Sequence, residues 1–279
     1  MKAKCISITK PEDRALNEDA VIAKDSVIAV ADGAGGGGVF AEAWSHYLLE
    51  NLPPSMFANF EELDAWVDGI WEPYYNQQET IAKHMNDPML LKKFYDEGSF
   101  ATLVAIWRSD NRLRWMSYGD STAFCYNFTS GVLSFSCKSL SDFANAPYLI
   151  SCKDPLQQEG FQSGEFDYSA DNIYFVTSDA LAHYIVMMYM VAHRERFDSE
   201  LQNAINGHNK NANYIRMAMS LKTIDFRKVL MKLLNCVSHK HNMQLHLAKL
   251  RQSHFLAADD YSIAVMRVSP SIQQQISIF

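Results

Sequence analysis

The chain has 279 residues, 48% of them hydrophobic and 20% charged, the balance of a globular protein rather than a disordered one. A formal charge of −7 with no basic stripe excludes a general binder of nucleic-acid backbones, which needs clustered Lys and Arg. No run of about 18 apolar residues occurs and Met1–Ile8 lacks the apolar stretch of a secretory leader, so a cytoplasmic protein with no membrane partner is expected.

In chain order, Cys5–Thr9 alternates as a half-buried strand does, and Val27–Ala31 is apolar throughout, like a strand covered on both faces. Phe40–Asn51 carries Phe40, Trp44, Tyr47 and Leu48 at helical spacing and is stopped by Pro53-Pro54; Phe57–Met85 reads as one or two further helices. Phe100–Trp107, Arg112–Tyr118, Ala123–Asn127 and Val132–Phe135 form a β-rich block. The short polar turns between them, Gly119-Asp120-Ser121 among them, suit antiparallel hairpins or a meander. Periodicity fades from Ser136 to Asp171, a connection punctuated by Pro147, Pro155, Gly160 and Gly164. Ile173–Thr177 is a strand, the stretch from Leu181 to about Leu250 is mostly helical, and Ile263–Val268 is a final strand. With no regular βαβ repeat and no low-complexity linker, this order points to an α+β layered architecture in one domain over residues 1–279.

Acidic residues stand where the apolar runs end: Glu18-Asp19, Asp32-Gly33 after Val27–Ala31, Asp179 after Ile173–Thr177, and Asp259-Asp260 before Ile263–Val268. Strand ends are rim positions. A fold that gathered these rims would concentrate negative charge that bound cations neutralise, and Mg²⁺ and Mn²⁺ take oxygen ligands. Each acid alone has an ordinary structural explanation as a turn residue, or at Asp179 as a helix cap.

The segments Arg14–Ala20, Val30-Ala31-Asp32-Gly33, Gly98–Thr102, Gly119-Asp120-Ser121, Thr177-Ser178-Asp179 and Asp259-Asp260-Tyr261-Ser262 together resemble, in order and spacing, the successive motifs of PP2C-type (PPM) protein Ser/Thr phosphatases. The resemblance runs from about Arg14 to Val268. It implies a four-layer α/β/β/α sandwich, two central antiparallel sheets flanked by helices, with a binuclear Mn²⁺ or Mg²⁺ centre at one end. It further implies that Asp32 bridges two ions and Gly33 offers its carbonyl. Asp19, Asp179 and Asp259 would bind one ion or the other, with Glu18 supporting them from behind. Asp120 would join Asp179 at a weaker third ion found in some members. Arg14 would hold the substrate phosphate with its guanidinium fork. The implied reaction is hydrolysis of phosphoserine and phosphothreonine by a bridging hydroxide, with catalytic roles for Arg14 and Asp32. The implied partners are phosphoproteins of a Ser/Thr kinase pathway.

Two departures stand out. Where the family carries a histidine shortly after Asp-Gly, this chain has Ala34-Gly35-Gly36-Gly37-Gly38, and no family block is recognisable in Ser139–Asp171. The alternative is therefore a catalytically weak PP2C-like module that binds phosphoproteins or regulates them. Gly33–Gly38 also matches G-x-G-x-x-G, but Asp32 directly before the turn would repel a pyrophosphate, and no Lys-Ser or Lys-Thr pair follows to make a P-loop. The five cysteines are scattered without a C-x-x-C pair and read as reduced thiols. His239, His241, His246 and His254, in a polar helical stretch, are expected to face solvent; Met187, Met188, Met190, Met217 and Met219 are expected in the core.

Overall fold

The computed structural model describes residues 3–11, 16–137, 139–206 and 209–268. Two five-stranded antiparallel sheets form its centre. The first has the order β1 (Lys4–Ile8), β12 (Tyr261–Arg267), β11 (Asn172–Thr177), β7 (Thr122–Asn127) and β8 (Leu133–Phe135). In the second the order is β10 (Phe161–Phe166), β6 (Arg112–Tyr118), β5 (Leu103–Ser109), β3 (Val27–Asp32) and β2 (Asp19–Ala23). A short ladder pairs β4 (Phe100–Ala101) with β9 (Ile150–Ser151).

The continuous apolar run of β3 follows from burial on both faces. Ile28 and Val30 point between the sheets and meet Val104, Ile106, Tyr174, Val176, Ala264 and Met266. Ala29 and Ala31 point the other way, under Trp44 and Leu48 of α1 (Ala41–Glu50) and Leu63 and Val67 of α2 (Phe60–His84). The outer face of the first sheet carries Phe124, Phe175 and Ile263 against α4 (Asp179–Ala192). That helix is buried at every position from Ala180 to Val191, because further helices cover it in turn. They are α5 (Arg194–Asn206), α6 (Ala212–Met219), α7 (Phe226–Cys236) and α8 (Lys240–Gln252). The result is the α+β four-layer order, helices, sheet, sheet, helices, that the sequence implied.

Several elements depart from the sequence reading. Residues 60–84 form one helix that accommodates Pro73, and α3 (Pro88–Glu97) follows it, capped by Asp87, which accepts from the Met89 and Leu90 amides. Strand β2 is an unforeseen partner for β3. The turn at Gly119-Asp120-Ser121 closes no hairpin: β6 lies in the second sheet and β7 in the first, so the turn carries the chain across the sandwich. The aperiodic stretch before β11 contains β10, whose Gly164 lets the backbone lie on Trp115; a Cβ there would come within 2.6 Å of the indole.

The histidine expectation is corrected at one position. Met243, His246 and Leu247 form the buried face of α8, so His246 is turned inward by the same i, i+3, i+4 spacing that buries its apolar neighbours. Both its ring nitrogens lack a hydrogen-bond partner. Burial, with the charges of Lys232 and Lys249, pushes its pKa down to about 4. Met187, Met188 and Met190 are core residues as expected, whereas Met217 is exposed. Cys125 and Cys152 are buried free thiols. No described helix is long and apolar enough to cross a membrane.

Candidate metal centre

Strand pairing brings the acids together. Asp19 opens β2 and Asp32 closes β3, and the antiparallel register sets them directly opposite each other, so their side chains share one face of the sheet edge. In the other sheet β11 and β12 pair antiparallel with Thr177 opposite Ile263, which places the end of β11 beside the start of β12. Ser178 and Ser262 lock that junction: the Ser178 amide donates to the Ser262 carbonyl at 3.1 Å, and the Ser262 amide donates to Ser178 Oγ at 3.0 Å. Asp179 begins α4 immediately after it, and Asp259 and Asp260 lead into β12. Asp120 joins from the crossover turn, since Thr122 pairs with Thr177 at the same end of the sheet.

The electrostatics register this convergence. Burial raises the Asp32 carboxyl well above its ordinary range, and the charges of Asp19, Asp179, Asp120 and Asp259 raise it further. Asp19, 2% exposed, is pushed up to about 8 by burial and by Asp260 and Asp179, against hydrogen bonds from Ser262 and Ser178 that favour its charged form. Asp179 rises to about 7 through burial and Asp120. Asp120 and Asp259 each rise to about 6, again chiefly through burial. Five carboxylates thus share one edge, Asp19 fully buried and the other four partly buried.

Such a cluster resists being fully ionised on its own: it holds protons until hard cations displace them and neutralise the charge. The donors are all carboxylate oxygens, the ligand type Mg²⁺ and Mn²⁺ prefer. Asp19 Oδ2 is buried with no hydrogen-bond partner, an orphaned acceptor of the kind that a cation satisfies. Among the described residues, no three His, Cys, Asp or Glu side chains close around a single point tightly enough to grip an ion. The residues fit a divalent centre by donor chemistry and by that orphaned oxygen.

Gly33 is hemmed in by backbone. Its amide donates to the Glu18 carbonyl at 3.1 Å, and a Cβ at this position would stand 2.5 Å from that oxygen and 2.8 Å from the Ala41 carbonyl. The Glu18 carboxylate lies against Gly35, where a Cβ would collide with Oε1, and pairs with Lys10 Nζ at 3.0 Å. Ser45 Oγ donates to the Glu18 carbonyl at 2.6 Å. Glu18 is therefore fixed through backbone and side chain behind Asp19. Arg14 lies outside the described residues.

Sequence reasoning named Asp260 beside Asp259 without a role for it, and missed two further participants, His183 and Lys210. Asp260 is 3% exposed, and its two oxygens accept the backbone amides of Lys10 at 2.6 Å and Glu18 at 2.8 Å. His183 lies one turn beyond Asp179 on α4, a placement readable from the i, i+4 spacing, and Lys210 reaches the same corner from the approach to α6. Lys210 lowers the pKa of both Asp120 and Asp179.

No protein-family model matches the sequence, and no curated protein does either. Solved structures do match. The serine/threonine phosphatase PstP/Ppp of Mycobacterium tuberculosis superposes with a TM-score of 0.55 at 18% identity, over 96% of this chain and 98% of that one. The PPM Ser-Thr phosphatase MsPP of Mycobacterium smegmatis gives 0.53 at 13% identity, over 96% and 99%. The catalytic domain of PstP in complex with two manganese ions gives 0.52 at 17% identity, over 95% and 96%. The chain has the PP2C phosphatase fold.

Within this PP2C fold the Asp260 carboxylate joins the end of β1, the residue before Asp19 and the start of β12. Asp260→Ala leaves two partly buried amides without an acceptor. At ~1.5–3 kcal/mol for each bond to a charged group, it should cost ~3 kcal/mol or more of stability, read as a lowered urea midpoint at unchanged m-value. Asp260→Asn, which keeps one acceptor oxygen, should cost roughly half as much. Equal stability of Asp260→Ala and the parent would remove Asp260 from the scaffold of the site.

Proposed function

We propose that the chain, as one domain over residues 1–279, is a metal-dependent phosphatase that hydrolyses phosphoserine and phosphothreonine on proteins phosphorylated by Ser/Thr kinases. The single observation that carries this reading is the convergence of Asp19, Asp32, Asp120, Asp179 and Asp259 on one partly buried edge, where burial first and then the charges of the other four raise the carboxyl of Asp32. PP2C-fold neighbours named as Ser/Thr phosphatases, one of them in complex with two manganese ions, support it.

In this reading Asp19, Asp32, Asp179 and Asp259, with the Gly33 carbonyl, would hold two Mn²⁺ or Mg²⁺ ions, and Asp120 with Asp179 would hold a weaker third. When bound, the cations supply Lewis acidity toward phosphoryl oxygens and acidify water to near-neutral pKa. The chain's own residues do the rest. The facing pair Asp19 and Asp32 sets the charge at the centre. Glu18, held by Lys10 and the Asp260 clamp, keeps Asp19 at the rim. Arg14 grips the phosphate by its two-pronged guanidinium and orients the phosphorus for in-line attack. The departing serine or threonine oxygen must take a proton, and Ala34–Gly38 offers no side chain to give it, so water is the donor and turnover is slow by ~10²-fold or more relative to an acid-assisted site.

That same missing acid favours a second reading, a phosphoprotein-binding module with little turnover. One measurement separates the two: hydrolysis of p-nitrophenyl phosphate and a phosphothreonine peptide by the purified chain, with Mn²⁺ and after chelation. Turnover that appears with Mn²⁺ and vanishes with chelator is expected. Binding of the phosphopeptide without turnover supports the module, and turnover indifferent to chelator contradicts both.

A further inference from the structure

Beside the carboxylate cluster lies a pocket of about 240 Å³ whose near wall is Asp179 and Asp259 and whose far wall is Phe143, His183, Lys210 and Tyr214. The proposed reaction uses none of the far-wall residues. His183 is only 6% exposed, and its Nε2 is buried without a hydrogen-bond partner. A buried polar atom left unpaired is costly, and in a pocket wall it marks the place where a ligand atom would complete the bonding. The ring is held in position by edge-on contacts with Phe143, centroids 5.7 Å apart, and Tyr214, 6.4 Å apart. The walls are tied together, since Asn211 Nδ2 donates to the Phe143 carbonyl at 3.2 Å.

Lys210 is the cation of this pocket, and it makes no ion pair among the described residues. An ammonium, an unpaired imidazole nitrogen and aromatic flanks complement a short side chain with an apolar stem and an anionic tip. The acids of the near wall repel such a group until cations neutralise them, so its binding is coupled to loading of the centre.

We propose that this pocket receives the carboxylate of an Asp or Glu side chain next to the phosphorylated residue, making the chain selective for phosphosites in acidic sequence. The proposal rests on the phosphatase reading and adds its substrate class. Lys210 would ion-pair with the carboxylate, His183 Nε2–H would donate to it, and Phe143 and Tyr214 would pack on its methylenes.

The test is binding of fluorescently labelled peptides carrying a non-hydrolysable phosphoserine mimic, flanked on both sides by Glu or by Gln, read by anisotropy on the Mn²⁺-loaded full chain. The Glu peptide should bind ~10-fold more tightly, as expected for one charge-assisted contact, and chelation should remove the difference. Lys210→Glu, a change at an exposed position, should abolish or invert the preference, and His183→Phe should reduce it. Equal binding of the two peptides by the parent chain, or an undiminished preference in Lys210→Glu, overturns the proposal. Turnover of p-nitrophenyl phosphate measured on the same preparation distinguishes the failures: turnover without discrimination discards the acidic subsite alone, and neither turnover nor peptide binding discards the phosphatase reading with it.

Discussion

Asp32→Asn should remove at least ~10³-fold of Mn²⁺-dependent turnover while making the metal-free protein more stable. The loss follows from the several kcal/mol that a divalent ion contributes to a phosphoryl transition state, at about 1.4 kcal/mol per tenfold. The gain follows from the position of Asp32 among like charges. Burial, then Asp19, Asp179, Asp120 and Asp259, all oppose its ionised form, and a neutral amide of the same shape relieves them together. The two effects are read separately, turnover with Mn²⁺ and the thermal midpoint in chelator. A variant that loses activity and stability alike would mean that Asp32 is a scaffold residue rather than a cation ligand.

The metal-free protein should also lose stability as pH rises from about 5.5 to 8.5, and Mn²⁺ should restore it most at the alkaline end. Asp19, Asp179, Asp120 and Asp259 have folded pKa values of about 8, 7, 6 and 6, all above the ordinary 3.8. Between the ordinary and the raised values the folded state holds protons that the unfolded state has released, so their contribution is intact below 3.8 and declines as pH rises through 6 to 8. A drop of at least ~2 kcal/mol is expected across the window, or ~5 °C in midpoint for a chain of this size. His183 and His246 act in the opposite sense. Their folded pKa values are about 4 against an ordinary 6.5, so the unfolded state takes up protons first and their own contribution falls as pH drops from 6.5 to about 4. Between pH 4 and 6 the four raised acids outweigh the two histidines, so the chelated protein should be most stable near pH 4 and lose stability from there upward. A thermal midpoint that climbs steadily to pH 8.5 without metal would show that the carboxylates do not share a partly buried edge.

Much of this was legible in the chain because it is written locally. The run Val27–Ala31 announces a strand buried on both faces, and Asp32 at its end announces a rim acid. Other features are non-local. Strand β2 is a five-residue run that starts on a charged residue, and only its partner β3 makes it a strand. In β10 the sequence Phe161-Gln162-Ser163-Gly164-Glu165-Phe166 is too polar to declare itself, and its pairing with β6 supplies what its composition does not. His246 looks solvated beside Lys240 and Lys249, and only the apolar face of α8 turns it inward. The acids were found one by one at strand ends. Asp260 was among them, but its clamping role was not legible, because its hydrogen-bond partners lie 242 and 250 residues away and leave no trace in spacing.

The strand order of the first sheet has a consequence for synthesis. Strand β12 lies in the interior of that sheet, flanked by β1 on one side and β11 on the other, and brings Asp259 and Asp260 with it. A nascent chain emerging from the ribosome holds an open slot there until β12, which follows all the other strands, has been made. Pairing of β12 with β1 then closes contacts between segments some 250 residues apart and brings Asp259 and Asp260 to the acidic edge in the same step. A chain lacking β12 is thus left with an unfilled slot between β1 and β11 and without Asp259 and Asp260 at the acidic edge.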